Sequence, residues 1–176
     1  MTVDKSRHWV ALLRGVNVGG RTIRMADLRE ALEALGLKNV ETILASGNVR
    51  FDSSLSGEKL QATIEKGLGE RFGYEAHVQV IERARLEQVI DAYPFGAAGE
   101  DSHDYVVFME RGLEKDLAAE KVELGRDERV EAGDGVVYWR VDKGSTLQSP
   151  FGKLLTKAKY RDFNTNRNLR TLRKLV

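Results

Sequence analysis

The feature that most restricts the fold is a change of hydrophobic period that recurs along residues 8–82. Trp9, Val10, Ala11, Leu12 and Leu13 form a short apolar run closed by Arg14-Gly15, the mark of a buried strand. Met25, Leu28, Leu32 and Leu35 then repeat at the spacing of one helix face, with Asp27 in the first turn and Gly36 placed to end it. Residues 40–45 (VETILA) and 48–51 (NVRF) read as two strands joined at Ser46-Gly47. Ser56 is placed as the N-cap of a second helix, with Leu55 and Leu60 spaced as a hydrophobic staple across it. Leu60, Ile64, Leu68 and Phe72 make its apolar face and Gly73 its end, while Gly67 and Gly69 imply close packing or slack. Residues 77–81 (HVQVI) alternate as a fourth strand. The order β-α-β-β-α-β is that of a ferredoxin-like plait, a four-stranded antiparallel sheet with two helices on one face. The first subdomain is expected over residues 1–82.

Residues 83–176 predict a second α+β subdomain of the plait type with reordered elements. Leu86, Val89 and Ile90 suggest a short helix stopped by Pro94, and residues 105–109 (YVVFM) a buried strand. A helix carrying Leu113, Leu117 and Val122 follows, and Gly133-Asp134-Gly135 joins two strands as a hairpin. Ser149-Pro150 opens a further helix with Leu154, Leu155 and Ala158 turned inward. A last helix is expected from Thr165 or Asn166 through Leu169, Leu172 and Val176, giving the order α-β-α-β-β-α-α. No internal repeat is visible at the level of residues.

Composition narrows the function classes. A chain of 176 residues that is 41% hydrophobic and 31% charged is that of a globular protein. No apolar run approaches a bilayer span. Residues 1–7 are polar, which gives the expectation of no secretory signal and a cytoplasmic location. With no cysteine, disulfides, thiolate catalysis and cysteine metal sites are excluded. The net charge of +1 conceals an asymmetry: residues 150–176 hold eight Lys or Arg against Asp162 alone, whereas residues 1–149 hold 20 basic and 26 acidic residues. A basic tail on an acidic body points either to an anionic partner or to internal pairing.

Three stretches are candidate sites. In the loop from Arg14 to Arg24, Gly15, Gly19 and Gly20 free successive backbone N–H groups beside Asn17, Arg14, Arg21 and Arg24, ahead of a helix start. Such a loop suits an anion, although it carries neither a Walker nor a dinucleotide fingerprint. The alternative is that its glycines only turn the chain. Ser46-Gly47-Asn48 is the second candidate. Ser46 lacks a nucleophile elbow and a neighbouring histidine, so a turn that needs Gly and Asn is the plainer reading. The third is Asn164-Thr165-Asn166-Arg167-Asn168, expected at a helix N-terminus, where amides beside arginine would hold phosphate or carboxylate. An N-cap leading into a solvated basic face is its structural alternative. His8, His77 and His103 share no metal-ligand spacing, and DSHD at 101–104 reads as an acidic loop.

RGVNVGG at 14–20, MADLREALEALG at 25–36, SGNVRF at 46–51 and NRNLRTLRKL at 166–175 resemble a family of bacterial proteins, the domain of unknown function 1697. The resemblance implies a cytoplasmic α+β protein of two plait-like subdomains, and it brings no catalytic residue. Its recurring positions fall on Arg14, Gly15, Asn17, Gly19, Gly20, Ser46, Gly47, Asn48, Arg167 and Asn168. Where the family commonly has an aromatic residue after the Arg-Asn pair, this chain has Leu169.

Three functions compete. The first is a binding module for a phosphate-bearing ligand, a nucleotide or a nucleic acid, held by Arg14, Asn17, Gly19, Gly20, Arg21, Ser46, Asn48, Asn166, Arg167 and Asn168. Against RNA stands the lack of alternating aromatics in the third strand. The second is a structural or interaction protein without chemistry. The third is a small-molecule enzyme with its site in the cleft between the subdomains, which lacks an evident general base. The sequence specifies no cofactor, no metal and no oligomeric state.

Overall fold

A computed structural model describes residues 5–176, so residues 1–4 of the polar leader lie outside the described residues. The chain divides into two units: one built on the first four strands and ending at Glu87, together with Lys174–Val176, and the other Gln88–Arg173.

The first unit runs β1 (Arg7–Arg14), α1 (Met25–Ala34), β2 (Lys38–Ile43), β3 (Asn48–Ser53), α2 (Gly57–Phe72) and β4 (His77–Glu82). Its sheet is antiparallel in the order β2-β3-β1-β4, the arrangement expected of a plait. Period-two alternation puts Trp9, Ala11 and Leu13 of β1 on the face with Val49, Phe51 and Val78, and there they meet Leu28 and Leu32 of α1 and Leu60, Ile64 and Leu68 of α2. The helices stop where their sequences say. The Ser56 hydroxyl accepts from Lys59 N, and Gly73 takes the left-handed conformation at φ +66°. Gly67 marks close packing: a Cβ there would stand 2.6 Å from Leu35 Cδ2.

The second unit is entered by α3 (Arg83–Asp91), which bridges the unit boundary, and runs β5 (Ser102–Met109), α4 (Glu114–Ala119), β6 (Arg129–Ala132), β7 (Val136–Asp142), α5 (Pro150–Leu155), β8 (Asn164–Asn168) and α6 (Leu169–Arg173). Its sheet order is β6-β7-β5-β8. The eighth strand corrects the expected reordering, because with it β5-α4-β6-β7-α5-β8 repeats the element order and the strand order of the first unit. Both units are ferredoxin-like. The core lies between one sheet face (Val107, Met109, Val137, Trp139, Val141) and Leu117, Phe151, Leu154, Leu155 and Tyr160. Ala158 lies beyond the end of α5 and is exposed.

Two local expectations fail for a shared reason: strand pairing overrides polar sequence. The residues expected to start the last helix instead form β8, paired with β5 from Tyr105↔Asn168 to Met109↔Asn164, and the helix begins only at Leu169. DSHD contributes Ser102, His103 and Asp104 to β5 rather than to a loop.

Candidate functional site

The Gly-rich loop and the Ser46-Gly47-Asn48 turn, whose separation the sequence leaves open, meet at one end of the first sheet. Leu12 of β1 pairs with Asn48 of β3, so the chain leaving β1 and the chain entering β3 are neighbours. Leu13 N donates to Gly47 O at 2.8 Å, and Asn17 Nδ2 donates to Ala45 O at 2.7 Å. Gly47 is buried at φ +80°, and a Cβ on it would stand 3.1 Å from both Leu13 Cβ and Val16 Cγ2. Only glycine fits so close an approach in that conformation. Asn48 is wholly buried, and its amide donates to Ile43 O at 3.0 Å and to Ser46 Oγ at 2.7 Å. These bonds pin the turn. Ser46 and Asn48 therefore hold the turn's shape, the serine oxygen serving as an acceptor for the Asn48 amide.

The loop above this floor is closed at its base by Ile23 N donating to Val16 O, with both side chains buried. Between them Asn17, Val18, Gly19 and Gly20 are exposed. Gly19 and Gly20 have φ +64° and +78°, and a Cβ on either would meet nothing within 4 Å. Here glycine answers to conformation and leaves the backbone open to an approaching group. Arg21 lies with its guanidinium 4.5 Å from the Tyr74 ring centre and Nη1 3.5 Å from Gly15 O. Burial raises the Tyr74 hydroxyl above its ordinary pKa, against the pull of Arg21. Arg24 is committed elsewhere: Nε and Nη2 donate to the two oxygens of Asp27 at 2.8 and 3.1 Å, a pairing that holds the Asp27 carboxyl below its usual range. Arg14, half-buried at the end of β1, pairs with His77 of β4 on the face that also carries Leu12 and Asn48.

The third candidate does not form one cluster. Consecutive side chains of a strand point to opposite faces. Asn166 and Asn168 thus share the face of Val107 and Tyr105, and Arg167 shares the other with Val106. Asn168 Oδ1 accepts from Arg170 N at 2.9 Å and so caps α6. Part of the basic tail pairs within its own unit, as Lys159 stands 3.3 Å from Asp116 across exposed surface.

Sequence reasoning missed two other polar constellations. In the second unit Arg140 makes a two-pronged bond to Asp104 at 2.7 and 3.1 Å and donates to Phe95 O and Gly96 O, tying the loop after α3 to the sheet. Burial, and then Asp104, push the Tyr93 hydroxyl far up. In the first unit His8 Nδ1 lies 2.6 Å from Asp52 Oδ1 and Asn39 Nδ2 donates to Asp52 Oδ2 at 2.7 Å, at the rim of a pocket of about 180 Å³. Asn39 sits at φ +50° where the β2–β3 register shifts. Neither constellation has a sequence signal, since each joins residues far apart in the chain.

The family model described as a protein of unknown function (DUF1697) matches residues 7–138. The chain belongs to this family. A similar solved structure is that of the conserved bacterial protein SP0830 from Streptococcus pneumoniae, with a TM-score of 0.79, 27% sequence identity and 97% of each chain covered. No curated protein matches the chain. Among the described residues no group of three or more His, Asp or Glu is placed to hold a metal, and no helix is long and apolar enough to cross a membrane.

Proposed function

We propose that this member of DUF1697 is a binding module for a phosphate-bearing anion, which it receives on the loop Arg14 to Arg21 of the first unit. The observation that carries the reading is the exposed backbone at Gly19 and Gly20, with open space where a side chain would stand, next to Arg21. Gly19 and Gly20 are the central residues of a turn closed by Arg21 N donating to Val18 O at 3.2 Å, and a turn that displays backbone N–H groups can receive an anion. The loop is already held in shape by the Asn17, Gly47 and Val16 contacts beneath it, so a ligand need not order it. Arg21 supplies positive charge at the root of the loop, where its guanidinium lies on the Tyr74 ring beside Gly15 O. Ser46 and Asn48 support the loop, and Arg14 adds charge at its root. The residues of β8 belong to the other unit and are not needed for this reading.

Isothermal titration calorimetry with inorganic pyrophosphate tests it at two salt concentrations. Saturable binding should weaken steeply as salt rises. Arg21→Gln should lower affinity about tenfold or more, the scale of one lost charge-assisted hydrogen bond. Arg24→Gln should change it little, because Arg24 is occupied by Asp27. Absence of binding, or equal effects of the two substitutions, would refute the proposal.

A further inference from the structure

Among the described residues four large hydrophobic side chains are exposed, and two of them, Val18 at 63% and Leu44 at 49%, stand on the two loops that Asn17 and Ala45 join. They flank the Asn17–Ala45 hydrogen bond that joins those loops. Leu44 is also conformationally costly. It has φ +59°, and of the three non-glycine residues in the left-handed region (Asn39, Leu44 and Arg111) it alone is apolar. Asn tolerates that conformation through local hydrogen bonding, whereas leucine gains nothing from it in solvent. A strained backbone that holds an apolar side chain out into water, on a turn bonded to the loop proposed to receive the anion, suits a ligand with two chemistries.

We infer that the ligand is a nucleoside phosphate, its phosphates on the backbone of Gly19, Gly20 and the Arg21 guanidinium, and the flat face of its base against Leu44 and Val18. The inference rests on the phosphate reading of the same loop and names the rest of the molecule. A bare phosphate would leave both apolar side chains uncovered. The flat face of a base packs on apolar as well as aromatic side chains and would cover them, while its edge polar groups stay in water.

Calorimetry with three probes decides it: a purine nucleoside diphosphate, inorganic pyrophosphate and the unphosphorylated nucleoside. The wild-type chain should bind the nucleoside diphosphate about tenfold more tightly than pyrophosphate, which corresponds to about 1.4 kcal/mol. Leu44→Gly, which relieves the strained φ and should raise the unfolding midpoint, should abolish that advantage and leave pyrophosphate affinity unchanged. The nucleoside alone should bind more weakly than either phosphate. Equal affinities for nucleoside diphosphate and pyrophosphate, or an advantage that survives Leu44→Gly, would overturn the inference while leaving the phosphate site intact. Failure of both phosphates to bind would remove the phosphate site and the inference together.

Discussion

Replacing Gly47 and Gly20 by alanine, one at a time, separates the two tasks assigned to glycine in this loop region. Both have strongly positive φ, +80° and +78°, so the backbone penalty for an L-residue is alike, about 1–2 kcal/mol in each. Alanine also restricts the unfolded chain, which returns about 0.4–1 kcal/mol in both. What differs is space. At Gly47 the new methyl would lie 3.1 Å from Leu13 Cβ and from Val16 Cγ2. Carbon pairs prefer about 3.5–4.0 Å. Leu13 and Val16 are core residues at 2% and 4% exposure and have nowhere to retreat, so overpacking adds about 1–3 kcal/mol. Gly20 meets nothing within 4 Å and incurs no such term. The expected loss of stability is therefore about 2–4 kcal/mol for Gly47→Ala and about 1 kcal/mol or less for Gly20→Ala. Urea unfolding followed by tryptophan fluorescence is well suited to the comparison, since Trp9 lies in β1 and Trp139 in β7, one in each unit. Equal losses for the two substitutions would show that Gly47 is not packed against Leu13 and Val16, and the loop floor described above would be wrong.

Asp104→Ala should cost about 3–5 kcal/mol by urea unfolding, because Arg140 would be left without its carboxylate in a pair only 13% and 9% exposed; replacing both by leucine should recover most of the loss. A cost below about 1 kcal/mol would mean that the pair is solvated. Asp52 is held below its usual pKa by Asn39 and then His8, against the opposing effect of burial. A carboxyl whose folded pKa is lowered contributes stability that is present above its unfolded value, about 3.9, and lost as pH falls through the folded one. Asp52→Asn should accordingly flatten the acid limb of stability below about pH 4, and an unchanged limb in a pH series of urea midpoints would contradict this. At the alkaline end, Tyr74 is raised by burial, so the folded state disfavours its ionisation and stability should fall as pH climbs past the ordinary tyrosine value of about 10. Tyr74→Phe should lessen that fall.

Most of the first unit is legible in the sequence because its elements carry strong periods and explicit stops. Leu28 and Leu32, Leu60, Ile64 and Leu68, the Ser56 cap and the Gly73 end all occupy the places that their spacing implies. The β6–β7 hairpin and the Ser149-Pro150 helix start are legible for the same reason. β8 is not. Asn-Thr-Asn-Arg-Asn has no apolar alternation, Thr165 alone is buried, and the strand exists because β5 offers it an open edge. That single missing strand makes the second unit read as rearranged when it repeats the first. The site is legible as residue types but not as roles. Asn48 reads as a ligand group, yet its burial and its bonds to Ile43 and Ser46 make it part of the scaffold. Leu44 reads as an ordinary strand residue, and only its backbone conformation sets it apart.

Amide NMR spectra recorded while inorganic pyrophosphate is added test most directly whether the Gly-rich loop receives an anion. The Gly19, Gly20 and Arg21 resonances should move together and saturably, with those of the Gly133–Gly135 hairpin unmoved as an internal reference. Shifts confined to the basic residues between Lys157 and Lys174, or no saturable shift at all, would contradict it.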